Sequence, residues 1–187
     1  MYGINYLIVL TLLSFGCGKS DCDQEMLKPP VTDTIPLSEY QKHPFFNKDY
    51  FSKSDAEKIL GEPANLSDSS AAIKKDTFEI KTTYTANVKD SKTGKIGNIY
   101  FMIEEYNEVA AAKNAYNIIK VANANHQGVK VLQGIGDEAY FHSDGSNFYF
   151  VLVRKEKIMF RMKVNKITSH TSLDAFNMVA KKITDNL

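Results

Sequence analysis

The chain has 187 residues, and its 23 lysines and arginines nearly balance its 22 aspartates and glutamates. A net charge of +1 provides no strongly positive surface for a phosphate backbone, so nucleic acid is not an expected partner. With 24% charged residues, 43% hydrophobic residues and only two cysteines, the composition is typical of a folded globular protein and excludes a disordered or disulfide-dense chain.

The N-terminus carries a distinct apolar segment. The first 16 residues contain no charged side chain, and residues 6–13 form a compact apolar run. A membrane-spanning helix needs roughly 20 apolar residues, so this run is too short to cross a bilayer. Its length is typical of the hydrophobic region of a secretory signal peptide. A small residue, Gly16, then directly precedes Cys17.

This arrangement resembles the lipobox of bacterial lipoproteins. In that family the cysteine thiol is acylated, the chain is cut before the cysteine, and the new amino terminus is acylated as well. The resemblance implies a signal peptide over residues 1–16 and a lipid anchor, such as palmitate, on Cys17. Two or three acyl chains hold a protein at a bilayer, whereas one chain binds only marginally. A buried apolar N-terminus and a signal cleaved without lipidation are the alternatives.

Residues 17–44 are predicted to form a tether between the lipid and the folded part. Four of the five prolines lie between Pro29 and Pro44, and proline favours an extended backbone. The acidic start of this stretch, residues 20–25, resembles the export signal that some Bacteroidetes lipoproteins carry after the acylated cysteine. That resemblance implies display on the outer face of the outer membrane. For the protein as a whole we expect an outer-membrane location that faces either the periplasm or the cell surface. A solvated linker is the alternative.

Residues 45–187 have the size of one domain and are predicted to fold as a single α+β unit. Ser54 and Glu57 form the pattern of a capping box at the start of a short helix. Two further helices are predicted to begin near Asn107 and Thr171, because apolar residues follow each position at helical spacing.

Strands are predicted where apolar and polar residues alternate. The longest alternating segment runs from Thr77 to Val88, and residues 65–70 before it are expected to form a loop. The other predicted strands are residues 99–103, 129–132, 139–142, 147–154 and 158–164. Tight turns between successive strands require an antiparallel sheet. We therefore predict a two-layer α+β sandwich in the order α-β-β-α-β-β-β-α, with five to six strands and the helices on one face.

Two segments carry a family resemblance. The helix Ser-Asp-Ala-Glu-Lys-Ile-Leu-Gly over residues 54–61 and the segment Gly-Ile-Gly-Asp-Glu-Ala-Tyr over residues 134–140 resemble a broad group of small bacterial lipoprotein domains. Several members of that group have a PsbP-like α/β fold, and many are domains of unknown function. The resemblance covers residues 52–187 and implies a fold and an envelope location, but no agreed chemistry.

Few residues suggest a ligand or metal site. Gly134, Gly136 and Asp137 form a glycine-rich loop, but no third glycine or helix follows as a phosphate loop requires. A turn held by Asp137 is the favoured interpretation. His142 with Asp144 offers two ligands for a metal, and a surface turn is again favoured. We therefore expect no cofactor and no metal.

The aromatic residues suggest a binding surface more than a catalytic one. If Tyr140 and Tyr149 both lie on an open face of the sheet, they form a platform for a glycan, a peptide or a partner protein. Ordinary usage of aromatic residues in strands is the favoured interpretation. The neighbours Glu104 and Glu105 point to opposite faces of a predicted strand, so they do not form a general acid/base pair.

These observations predict a lipid-anchored cell-envelope protein with a non-catalytic domain that binds or scaffolds a partner. The chain lacks a Gly-x-Ser-x-Gly motif, which argues against nucleophilic hydrolysis. The expected partners are the membrane, through the lipid on Cys17, and an envelope protein or a glycan. Two alternatives stay open: an immunity or inhibitor lipoprotein that caps another protein, and an envelope enzyme whose site is assembled from distant residues. The sequence indicates no oligomeric state.

Overall fold

The computed structural model describes residues 43–75 and 77–187. The predicted signal peptide over residues 1–16, the predicted lipid site Cys17 and most of the tether predicted over residues 17–44 lie outside the described residues. Within the part of the chain that the structure describes, no helix combines the length and the apolar character needed to cross a membrane.

His43, next to the end of the predicted tether, contacts the sheet of the domain. The ring of His43 stacks on Phe78 of the sheet, with the ring centroids 4.0 Å apart. A single 3-10 turn, Pro44–Asn47, follows, and its Phe45 is buried in the main core. The aromatic side chains of this turn therefore fix the start of the domain against the sheet.

Three α-helices and seven strands follow in the described residues. The helices are α1 (Lys53–Leu60), α2 (Val109–Asn123) and α3 (Leu173–Asp185). The strands are β1 (Ala64–Lys74), β2 (Thr77–Ala86), β3 (Asn98–Tyr106), β4 (Val129–Leu132), β5 (Glu138–Ser143), β6 (Phe148–Lys155) and β7 (Ile158–Asn165).

The strands form one antiparallel sheet in the order β1-β2-β3-β7-β6-β5-β4. In each of the two runs, β1–β3 and β4–β7, every strand pairs with the next one along the chain. The two runs meet where β3 pairs with β7, with Ile99 opposite Val164 and Ile103 opposite Phe160. Turns connect the strands within each run, whereas α2 carries the chain from β3 at the centre to β4 at the edge.

One face of the sheet packs against α1 and α3 and forms the main core. The buried apolar residues of α3 include Phe176, Val179 and Ile183, which recur at helical spacing. Alternate residues of the central strands face them, because successive side chains of a strand point to opposite faces. These are Ile99, Phe101, Ile103, Val151, Val153, Phe160, Met162 and Val164.

The opposite face packs against α2. Tyr116 of this helix is 1% exposed and forms a second core with Tyr140, Leu152 and Met159. Four consecutive residues of β6, Val151–Arg154, are buried, which is the pattern of a strand covered on both faces. The sheet therefore lies between helices on its two sides.

The predicted α+β class and the antiparallel sheet are confirmed, with two differences in detail. The sheet has seven strands instead of five to six, because residues 65–70, expected to form a loop, belong to β1. This strand lacks an alternating apolar pattern, and its pairing with β2 decides its conformation. The second difference is that α2 lies on the face opposite α1 and α3.

The start of α1 differs from the prediction of a capping box at Ser54 and Glu57. The N-cap is Ser52: its hydroxyl accepts from the Asp55 N–H at 3.2 Å, and the Asp55 carboxylate accepts from the Ser52 N–H at 3.0 Å. Asp55 also accepts from Lys182 of α3 at 2.7 Å. The carboxylate of the capping box therefore also joins the two helices, a contact that local sequence does not reveal.

Asp90 connects two segments that are distant in the chain. Its carboxylate accepts from the Thr93 hydroxyl at 2.6 Å within the β2–β3 connection, and from the N–H and hydroxyl of Ser169 at 2.7 Å and 3.0 Å. Ser169 lies between β7 and α3. The hydrogen bonds from Ser169 and Thr93 hold the pKa of Asp90 well below its usual range.

We expect Asp90→Asn to lower the urea midpoint of unfolding at pH 7 and to flatten the acid dependence of stability. A carboxyl whose pKa is lowered by folding stabilises the protein above its unfolded pKa of about 3.9, and that contribution is lost as the pH falls through the folded pKa. Urea unfolding between pH 7 and pH 2 measures both effects, because the loss begins only near the unfolded pKa.

Asp144→Asn is the matched control, because Asp144 also has a lowered pKa but accepts only from neighbours in its own turn. Its effect on the midpoint should be smaller. An unchanged midpoint for Asp90→Asn at pH 7 would contradict the role of Asp90 as a connection between distant segments.

Candidate functional site

The face of the sheet on which α2 packs, called the α2-side face below, carries a set of charged side chains on central strands. Residues that oppose each other in neighbouring strands form rows across this face. One row runs from β2 to β5 through Lys81, Met102, Arg161, Leu152 and Tyr140. The adjacent row runs through Glu79, Glu104, Met159, Arg154 and Glu138.

Two carboxylates, Glu79 and Glu104, oppose each other across β2 and β3 and are 4% and 8% exposed. Like charges at opposing positions destabilise a sheet unless cations compensate them. Glu79 accepts from Lys74 at 3.0 Å and pairs with Lys81 at 2.7 Å, and Glu104 accepts from Arg161 at 2.9 Å. Burial raises the pKa of Glu79, but the hydrogen bonds from the two lysines outweigh burial and lower this pKa. Glu79 is therefore ionised at neutral pH.

Asp137, singled out in the sequence, compensates a buried cation. Arg154 is 6% exposed and donates to Glu138 at 2.7 Å and to Asp137 at 2.8 Å. Asp137 also accepts from the backbone N–H of Glu156 at 2.7 Å. Gly136 before it has φ +60°, and a Cβ there would lie 2.5 Å from the Arg154 carbonyl oxygen. This geometry agrees with the favoured interpretation of a turn held by Asp137.

Three hydrogen-bond donors on the α2-side face lack a strong acceptor among the described residues. The Tyr140 hydroxyl and Nε of Arg161 are buried without a hydrogen-bond partner. The Tyr100 hydroxyl donates to Sδ of Met102 at 3.0 Å, and a thioether is a weak acceptor. Burial raises the pKa of Tyr140, and the positive charge of Arg161 opposes that rise. The Tyr140 hydroxyl is enclosed under α2, whereas the Tyr100 and Arg161 side chains are partly exposed, so these two are the donor side chains that a ligand with oxygen acceptors can reach.

The condition for a platform of Tyr140 and Tyr149 is not met, because the two side chains lie on opposite faces of the sheet. Tyr140 is 1% exposed under α2, with its ring centroid 6.2 Å from that of Tyr116. Tyr149 packs on the main core, 5.9 Å from the ring of Phe176 in α3. Neither ring is free to stack on a glycan.

His142 lies on the α2-side face next to a second histidine. Its ring centroid is 5.5 Å from that of His126 and 4.9 Å from that of Phe148. The Asp144 carboxylate accepts from the backbone N–H and the side-chain amide of Asn147, both at 2.7 Å. These hydrogen bonds stabilise the β5–β6 turn. Over residues 43–75 and 77–187, no group of three or more His, Cys, Asp or Glu is arranged to hold a metal.

An open groove of about 480 Å³ runs between α1 and α3 on the outer side of the domain. It is lined by Asp55, Lys58, Ala175, Met178, Val179 and Lys182. Met178 is 65% exposed in this groove. Burial raises the pKa of Asp55, but the hydrogen bonds from Lys182 and Ser52 outweigh it and lower this pKa. The groove therefore combines an apolar surface with a carboxylate that is already paired.

The charged residues of the α2-side face were not recognised in the sequence as one set. Their local signal is alternation: Glu79 and Lys81 occupy the polar positions of β2, which a single sequence assigns to solvent. Glu79 is compensated by Lys74 and Lys81, which are near it in the sequence, whereas Glu104 is compensated by Arg161, 57 residues away in the chain. Comparison of the sequence with protein-family models and with curated proteins gives no match.

We expect Tyr140→Phe to raise the free energy of unfolding by about 1–3 kcal/mol, because it removes a buried hydroxyl that has no partner and leaves the ring packing intact. Urea denaturation of both proteins measures the change. Tyr149→Phe is the control, since its ring is half-buried on the other face, and its effect should stay within about 0.5 kcal/mol. A loss of stability in Tyr140→Phe would mean that the hydroxyl is paired.

Proposed function

We propose that this chain is a lipid-anchored cell-envelope protein whose α+β domain binds or scaffolds a partner and carries out no catalysis. The proposed membrane anchor rests on one observation: an uncharged, largely apolar segment at the N-terminus leads directly to Gly16 and Cys17. Acyl chains on Cys17 are the link to the membrane. The acidic residues 20–25 support an outer-membrane location, facing the periplasm or the cell surface.

The α2-side face supports the binding part of the proposal. Two of its donor side chains are partly exposed: the Tyr100 hydroxyl donates to the weak acceptor Sδ of Met102, and Arg161 donates to Glu104 through one of its nitrogens. The oxygen atoms of a peptide or a glycan are acceptors that suit the Tyr100 hydroxyl and the Arg161 guanidinium. Both classes of molecule occur in the cell envelope, so the site chemistry agrees with the proposed location.

A second candidate function is that of an immunity or inhibitor lipoprotein that caps a partner protein. The observation that favours it is the open groove between α1 and α3, where the exposed Met178 lies beside Val179. Methionine adapts its shape to different partners, and a shallow apolar groove suits a protein surface better than a small ligand.

The mass of the intact protein, extracted from membranes, tests the anchor. We expect a chain that begins at Cys17 and carries added acyl mass, and we expect Cys17→Ala to lose both the acyl mass and the membrane association. Cys22→Ala is the matched control, because it removes the only other thiol and should keep the lipid. An unmodified wild-type chain in the soluble fraction would contradict the proposal.

A further inference from the structure

We propose that two copies of this chain associate through their β1 strands, so that the two seven-stranded sheets form one continuous sheet across a two-fold axis. This inference goes beyond the proposed function and does not depend on the lipid anchor. It rests on the free edge of the sheet, on the side chains of β1, and on the positions of its two charges.

β1 is an edge strand, and its outer side has no strand partner in the described part of the chain. It has 11 residues, most of them exposed, whereas β4 at the other edge has only four. Natural sheets avoid edge-to-edge pairing by keeping edge strands short, as β4 does. The one irregularity of β1 lies between Leu66 and Asp68, so residues 68–74 keep a regular register with β2.

The side chains of β1 permit a second strand to approach. Small residues occupy its centre, from Ser69 to Ala72, and the strand contains no proline. Only two of its residues are charged, Asp68 and Lys74. Lysine and proline are the residues that most often protect an edge, and here the single lysine lies at the end of the strand. The exposed backbone groups of β1 are therefore accessible along its middle.

The two charges select one register for a symmetric pair. A two-fold axis perpendicular to the sheet keeps opposing side chains on the same face. Because side chains alternate between faces along a strand, two residues that oppose each other are an even number of positions apart in the sequence. With Ala71 on the axis, Asp68 of each copy opposes Lys74 of the other. With Ser70 or Ala72 on the axis instead, Asp68 no longer opposes Lys74. Opposite charges at such positions stabilise the pairing of two strands.

Lys74 can donate both to Glu79 of its own copy and to Asp68 of the other copy. It donates to the two oxygens of Glu79 at 3.0 Å, and its side chain is 60% exposed. An ammonium group carries three protons, so it can also donate to Asp68 of a second copy. Each dimer would contain two such ion pairs, related by symmetry.

Charge reversal with rescue tests the register. In Asp68→Lys, two lysines oppose each other in the dimer, and in Lys74→Glu, two carboxylates do. We expect each variant of the full-length protein in detergent to dimerise about tenfold more weakly or worse than wild type, measured by sedimentation equilibrium. An equimolar mixture of the two variants should recover the wild-type association, because both ion pairs re-form in the mixed dimer.

Recovery by mixing separates the proposal from simple damage to the fold, since a misfolded chain is not rescued by a second variant. A monomeric wild-type protein at every concentration, or a dimer that neither variant weakens, would overturn the proposal. So would two weakened variants that fail to associate when mixed while each keeps its wild-type circular dichroism.

A disulfide trap checks the axis directly in a Cys22→Ser background. Ala71→Cys places two thiols opposite each other, and we expect it to form a covalent dimer on mild oxidation. Ser69→Cys is the control: its two thiols are four residues apart along the strands, roughly 13 Å, which is too far for a disulfide. Equal or faster cross-linking at residue 69 would overturn the register.

Discussion

The pairing of β3 with β7 joins two halves of the chain that otherwise form separate runs of neighbouring strands. On one face of this pair, Ile103 and Phe160 oppose each other in the main core. On the other face, Arg161 donates to Glu104 at 2.9 Å across the same two strands. The core under α1 and α3 and the charged rows of the α2-side face both extend across this pair, so both depend on its register.

The α2-side face buries several charged side chains. A buried ion pair can often be replaced by apolar residues without loss of stability, because removing charges from water costs about as much as their attraction returns. Here Glu79, Glu104 and Arg154 are buried, and on the same face the Tyr140 hydroxyl and Nε of Arg161 have no hydrogen-bond partner among the described residues. The binding that we propose for this face would use its partly exposed donors, Tyr100 and Arg161, and not the enclosed Tyr140.

The sequence was informative where a pattern is local. Alternation identified β2, and glycine with Asp137 identified a turn, because side-chain direction and backbone angles are set by near neighbours. Local patterns did not reveal β1, whose polar residues become a strand through pairing with β2, or the burial of Tyr140 under α2. Cys17 lies outside the described residues, so its lipidation stays a prediction.

Hydrogen exchange of the backbone amides under native conditions tests whether the β3–β7 pair makes the sheet one cooperative unit. We expect the central amides of β2, β3, β6 and β7 to exchange with a single free energy, equal to that of global unfolding in urea. If the amides of β2 and β3 exchanged with a clearly lower free energy than those of β6 and β7, the two halves would open separately, and the β3–β7 pair would not hold the structure together.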